Sequence, residues 1–381
     1  MSPPSSSTSS SEPSRASQLR ELARVAVWTL VFLLAIDAGL GVWLGDPPRG
    51  PEQARGSLQR YFEYGRSTEG KIRSMVGPTD ALTHPLALSG WIEPPVGQPS
   101  AAPAGARALV AVYGMSFSAN VALAMHEQMP ELAVRNAGGP GATLAHSYAM
   151  YQRDRLEHQA SVIVLGVLAS SFPSLSTLSH ATWNFEAPSP HFYPRYRLEG
   201  GALASVPPPI ASLAELREAL ADPARFETLR AALAQNDAFY DGLVFRESAL
   251  DRSLIARALR RAWGQRGKRG TIARFHGPDG YTNELGAIDV SHAILREFAA
   301  SVRADGKLPV LLLIHDRGYA DHLYRAFLPV IEEAGVDFVS THELAPAANL
   351  ANFVRDGHFT PENDRRIARA LGERILERLE K

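Results

Sequence analysis

The sequence contains no cysteine, which excludes disulfides, thiolate metal sites and a cysteine nucleophile while leaving the compartment open. It has no excess of charge of either sign. Lys plus Arg total 39 against 40 Asp plus Glu, a formal net charge of -1, so there is no global drive toward nucleic acid or toward an acidic membrane, and any basic surface must be local. No phosphate loop, zinc-type histidine cluster, dinucleotide fingerprint or internal repeat is present, and neither a cofactor nor a metal is expected. What remains is an ordinary globular composition: 381 residues, 45% hydrophobic and 21% charged, enough for one large domain or two average ones.

One long apolar run stands out. VAVWTLVFLLAIDAGLGVWL, residues 25–44, matches the ~20 residues that cross a bilayer as a helix. Arg15, Arg20 and Arg24 precede it and few basic residues follow closely, so the positive-inside rule predicts a single-pass protein of the inner (cytoplasmic) membrane, with its carboxyl-terminal portion periplasmic or extracellular. A cleaved signal peptide is the rival. Its apolar region is usually ~7–15 residues and closes on small residues of A-x-A type, whereas this run closes on GVWLGDPPRG, which favours an uncleaved anchor. Asp37 interrupts the run; an acid there is expected toward the outer leaflet or paired within an assembly.

The flanks differ in kind. MSPPSSSTSSSEPS at the amino terminus is too polar to fold, so residues 1–24 are read as a disordered cytoplasmic tail. Residues 45–106, with a short helix pattern over 52–64 and a close in PPVGQPSAAPAGAR, are read as a stalk. A catalytic domain is expected over 107–381. Its strands at 108–113, 132–136 and 161–167 and helix at 142–158, then a helix at 288–304, the strand at 308–315, a helix at 320–334, the strand at 336–340 and a last helix carrying Ile367, Leu371, Ile375 and Leu379, alternate as in a doubly wound parallel α/β sheet. Residues 170–286 break the alternation and are read as a largely helical insertion.

Two segments carry chemistry. LVAVYGMSFSAN, residues 109–120, runs a short buried strand into Gly114-Met115-Ser116, the turn that lifts a serine hydroxyl out at the carboxyl end of a sheet, where open α/β sheets place their sites. DGHFTPEND, residues 356–364, puts Asp356 and His358 on a loop just before the last helix, at the same sheet edge. A histidine there takes the serine proton and a carboxylate fixes its tautomer.

On these blocks the chain resembles the SGNH, or GDSL-type, family of esterases and acyltransferases, over about residues 107–380. The resemblance implies a flavodoxin-like three-layer fold, with Ser116 as nucleophile and its N–H as one oxyanion donor. The segment Asn136-Ala-Gly-Gly-Pro-Gly-Ala-Thr143 matches the family's NxGxxGxT block, which makes Gly141 a second donor; Asp356 and His358 match the last block. There are three departures. Met115 replaces the usual acid, the histidine block reads DxH rather than DxxH, and Leu168 stands where the family has its oxyanion asparagine. Asn184, or Ser170-Ser171, from the insertion are the candidate replacement donors. His315-Asp316 lie at the same edge.

The insertion adds HFYPRYRL at 191–198 and RALRRAWGQRGKRG at 257–270. These read either as a basic, aromatic-edged groove for an anionic or sugar polymer or as a structural turn and a solvated helix end. The expected function is serine-dependent transfer or removal of an acyl group, acetyl first, on a cell-envelope or exported polysaccharide or another acylated small substrate. Other envelope biosynthesis proteins are the expected partners. The alternative is a non-catalytic SGNH-like module that binds or assembles such a machine.

Overall fold

In a computed structural model, residues 15–44, 57–76 and 97–381 are described. Helix α1 (Arg15–Leu44) is the apolar run with its basic prelude, one helix long and apolar enough to cross a membrane by length and composition, with a mean hydropathy of 2.2. Residues 15–24, expected to belong to a disordered tail, are its first turns: Gln18, Leu19, Glu21 and Leu22 are good helix formers continuous with the span. The short helices α2 (Ser57–Tyr64) and α3 (Thr68–Val76) follow.

The α/β frame begins with β1 (Ala108–Tyr113), α4 (Ser116–Gln128), β2 (Leu132–Asn136), α5 (Leu144–Asp154) and β3 (Val162–Leu168). A 3-10 segment (Ala169–Ser176) opens the insertion. It holds α6 (His180–Trp183), the hairpin β4 (Arg195–Glu199) and β5 (Ala202–Val206), then α7 (Leu213–Ala221), α8 (Pro223–Asn236), α9 (Gly242–Phe245), α10 (Leu254–Ala273) and the small hairpin β6 (His276–Gly277) and β7 (Gly280–Tyr281). The frame resumes with α11 (Ala287–Ala304), β8 (Leu308–Ile314), α12 (His322–Ala334), β9 (Asp337–Ser340), α13 (Thr341–Leu344) and α14 (Pro361–Leu379).

The five-stranded sheet runs β2-β1-β3-β8-β9 with every pair parallel. Its strands are buried on both faces, as runs such as ALVAVY and VIVLGVL require in a sheet covered by helices. Leu109, Ala111 and Tyr113 face a layer that includes Tyr148, Tyr151, Phe298 and Phe327 of α5, α11 and α12. Val110 and Val112 face the opposite layer with Val121 and Met125 of α4 and Ile367, Leu371 and Ile375 of α14. Chain order reverses between β1 and β3, so the crevice at their carboxyl ends is the switch point where such sheets bind ligands.

Part of the expected stalk is folded. Residues 57–76 pack on the insertion: Arg257 pairs with Glu63 at 2.6 Å, Ser67 N–H donates to Asp251 Oδ1 at 2.7 Å, and the Lys71 ammonium donates to the carbonyls of Tyr64 and Phe185. The backbone of Arg257 lies where any side chain at Gly65 would go. Residues 45–56 and 77–96, the rest of that stretch but for the loop 97–106, fall outside the described residues, as do 1–14.

Candidate active site

Ser116 is the first residue of α4, reached from β1 through Gly114 and an extended Met115 (φ -85°, ψ -174°) that bridges to Gly139 in parallel. Gly114 does not adopt a positive φ. Its need is space: a Cβ at Gly114, or at Gly166 on β3, would collide with the side chain of Ser118. The two glycines thus let the fully buried Ser118 sit between β1 and β3 directly under the turn that carries Ser116.

His358 is held by a tight turn. Phe353 and Phe359 bridge, Val354 N–H donates to His358 O at 2.8 Å, and Gly357 takes φ +100°, a conformation glycine supplies at little cost. The imidazole packs on Phe117 of α4 with ring centroids 4.7 Å apart. Thr360 caps α14 through the Asn363 N–H, and Pro361 fills its first position. Ser116 Oγ lies 2.7 Å from His358 Nε2, and His358 Nδ1 lies 3.1 Å from Asp356 Oδ1. The structure therefore brings all three sequence-predicted residues together. With Nδ1–H donated to the carboxylate, Nε2 faces the serine hydroxyl as an acceptor.

The carboxylate is unusual in its exposure. Asp356 is 70% exposed, and the backbone and side-chain N–H groups of His358 hold its carboxyl below the ordinary range. A second carboxylate, unforeseen from the sequence, lies near: Asp364, in the first turn of α14, is buried, and its Oδ1 has no hydrogen-bond partner among the described residues. Burial pushes it up to about 6, and the nearby His358 pulls the other way. Its position one turn past Thr360 was the only available signal.

The Asn136–Thr143 segment is ordered by its own first residue. Asn136 Oδ1 accepts Gly138 N–H at 3.1 Å while its amide donates to Ala119 O of α4 at 3.1 Å. Ala137, Gly139 and Ala142 donate to Val112, Gly114 and Gly139 carbonyls. Pro140 has no N–H. Of residues 137–142, this leaves Gly141 alone with an N–H that has no hydrogen-bond partner among the described residues. Gly141 has φ +71°, and a Cβ there would meet His180 Cδ2 at 2.8 Å and His191 Cε1 at 3.3 Å.

Those rings belong to a buried aromatic group behind the glycine loop. His180 stacks on His191 with centroids 5.2 Å apart, and His146 stacks on Tyr193 at 5.9 Å. Burial drives His146 down to about 4 and His180 to about 3, and His191 well below its usual range, so all three are neutral at pH 7. Among the described residues, no group of three His, Cys, Asp or Glu has the arrangement to hold a metal.

The replacement donors are engaged elsewhere. Leu168 pairs with Ile314 and is buried in the core. The Asn184 amide donates to Ala187 O at 3.2 Å and touches His180 Nε2 at 3.4 Å. Ser170 N–H donates to Asp316 Oδ1 and Ser171 Oγ to Leu168 O, while His315 Nε2 accepts Tyr324 N–H. These contacts join the loops that follow β3 and β8. In HFYPRYRL, His191, Phe192 and Tyr193 are core residues, and Arg195 to Leu198 wall one side of a cavity of about 240 Å³. In the basic run, Arg257, Arg260 and Arg261 are ion-paired with Glu63, Asp251 and Glu186.

No family model matches the chain, and no curated protein matches it.

Proposed function

We propose that the protein is an SGNH-type serine acyltransferase or esterase with a flavodoxin-like three-layer fold, acting on a cell-envelope or exported polysaccharide. The observation that carries this is the Ser116–His358–Asp356 relay at the switch point of a parallel sheet. Ser116 Oγ attacks an ester carbonyl while His358 Nε2 takes its proton. The oxyanion collects on N–H groups at the start of α4, a helix amino terminus where negative charge is favoured, and on the N–H of Gly141 in the loop before α5. Collapse breaks the bond to the leaving oxygen, which receives the proton from His358, and leaves acyl-Ser116. A sugar hydroxyl or water then gives its proton to His358, attacks, and frees Ser116.

The polysaccharide assignment rests on location. α1 is taken as an uncleaved single-pass anchor of the cytoplasmic membrane with the catalytic domain outside. In support, α1 is fastened to that domain: Asp37 Oδ1 accepts Ile255 N–H at 2.8 Å, and Gln59 donates to Leu44 O at 2.8 Å. Cleavage would discard both bonds.

A second reading, a non-catalytic SGNH-like binding or assembly module, is favoured by Leu168, which fills the asparagine position with core packing. One experiment separates the two. Detergent-purified full chain is treated with a fluorophosphonate probe beside Ser116→Ala and His358→Ala. Labelling of the wild type alone supports the enzyme; equal labelling of wild type and Ser116→Ala, or none at all, supports the module.

A further inference from the structure

The residues of α1 are exposed throughout, except that Asp37, Leu40 and Leu44 are partly covered. Their spacing places them on one helix face. What covers that face includes the start of α10: Ser253 caps the helix through Ala256 N–H, and Ile255 N–H donates to Asp37 Oδ1. The acid in the apolar span thus accepts a backbone N–H at a helix amino terminus.

This contact fixes how close α10 lies to the end of the span. Asp37 precedes the end of α1 by seven residues, ~10 Å along a helix axis. The headgroup layer on one side of a bilayer is about 5–7 Å thick. With α1 as the anchor, the first turn of α10 is therefore held within ~10 Å of the end of the span, on the face where the chain leaves the membrane. Leu259 lies one turn further, ~6 Å along α10, and Trp263 ~12 Å.

The outward stripe of α10 suits that neighbourhood. Leu259 and Trp263 are 67% and 55% exposed, with exposed Ala262 and Arg266 on the same face. Trp263 Nε1 donates to Asp241 Oδ2 at 2.8 Å, which holds the half-exposed indole in place. The arginines divide sharply. The inward ones, Arg257, Arg260 and Arg261, are ion-paired, whereas the exposed Arg266 and Arg269 have no acidic partner among the described residues. Leu and Trp flanked by unpaired arginines is the composition of a helix that lies in a lipid interface.

We propose that this face of α10, carrying Leu259, Trp263, Arg266 and Arg269, rests in the headgroup layer of an anionic bilayer beside α1. The domain is then seated on the membrane rather than suspended above it. The proposal depends on α1 being the anchor, so the test probes both. Because the chain has no cysteine, single-cysteine variants of the full chain carry one bimane label each. Val31→Cys, Leu259→Cys, Trp263→Cys and, on α4, Leu123→Cys are reconstituted in phosphatidylcholine vesicles containing phosphatidylglycerol and a nitroxide lipid. The expected result is strong quenching at 31 and at least threefold more quenching at 259 and 263 than at 123. Quenching at 31 with 259 and 263 equal to 123 overturns the docking and leaves the anchor standing. No quenching at 31 overturns both. Adding Arg266→Glu and Arg269→Glu to the Leu259→Cys protein should at least halve its quenching; no change overturns the anionic-lipid part.

Discussion

Gly141→Ala is the sharpest perturbation of the glycine loop. At φ +71° an alanine costs about 1–2 kcal/mol for its left-handed backbone alone. Its methyl would also sit 2.8 Å from His180 Cδ2 and 3.1 Å from Nε2. That ring has nowhere to go, being packed between His191 at 5.2 Å and Trp183 at 5.0 Å, so overpacking adds about 1–3 kcal/mol. The sum, about 2–5 kcal/mol, lowers the melting temperature by roughly 5–15 °C in a domain of this size. Displacing the unpaired Gly141 N–H should further slow acylation by about 10²–10³ if it is an oxyanion donor. Gly139→Ala is the control, since no atom lies within 4 Å of its added Cβ and its φ is not positive. Thermal unfolding and fluorophosphonate labelling rates read both effects. A Gly141→Ala protein that melts within about 2 °C of wild type and labels at its rate would refute the packing account and the donor assignment together.

Asp356→Ala should slow labelling by less than about tenfold, because water screens a carboxylate this exposed, against about 10⁴ for a buried orienting aspartate; a loss near 10⁴ would show that Asp356 acts as a buried partner does. Asp364→Asn removes a buried charge beside His358 and should move the acid limb of the labelling profile to lower pH, and an unmoved limb would discount Asp364. Leu168→Asn buries an amide with no partner, costing about 1–3 kcal/mol, and should lower the melting temperature without raising the rate; a faster enzyme would mean the asparagine position is still open to substrate. His146 is held at about 4 in the fold against about 6.5 unfolded, so the unfolded chain binds more protons between those values and stability falls as pH drops through that window. The slope is up to about 1.4 kcal/mol per pH unit. His146→Phe should flatten that acid loss, measured as melting temperature from pH 7 to 4, while the buried carboxyl of Asp237, raised to about 6, contributes the opposite slope and is retained in both proteins.

The sheet was legible because doubly buried strands are written as short apolar runs. The five strands lie within a residue or so of the boundaries read from them, and α14 buries Ile367, Leu371 and Ile375 of its i, i+4 stripe while Leu379 at its end is exposed. The Ser116, His358 and Asp356 positions were legible as punctuation at strand and helix ends. The depth of Asp364 was not, because a carboxylate in a first helix turn reads as ordinary capping. Gly114 was read as a turn residue, but its reason is Ser118 packing across β1 and β3, which only the assembled sheet supplies. The β4–β5 hairpin was missed although Gly200 and Gly201, with φ +58° and +87°, mark its turn. Its strands are half exposed and carry too few apolar residues to announce themselves. The helices at 57–76 read as stalk because what holds them, Glu63 to Arg257 and Ser67 to Asp251, lies nearly two hundred residues away.

Ser116 and His358, the proposed nucleophile and base, are separated by 242 residues, and His358 arrives on the loop just before α14, which packs against α4. A chain made from its amino terminus therefore displays Ser116 long before His358 exists to activate it. During that interval the serine is as inert as any surface hydroxyl, and the core layer beneath α4 lacks Ile367, Leu371 and Ile375. Closing so distant a contact is entropically late in folding as well as in synthesis. In the proposed mechanism acyl chemistry is in this way switched on by completion of the fold, so partly made or partly folded chains would not attack esters.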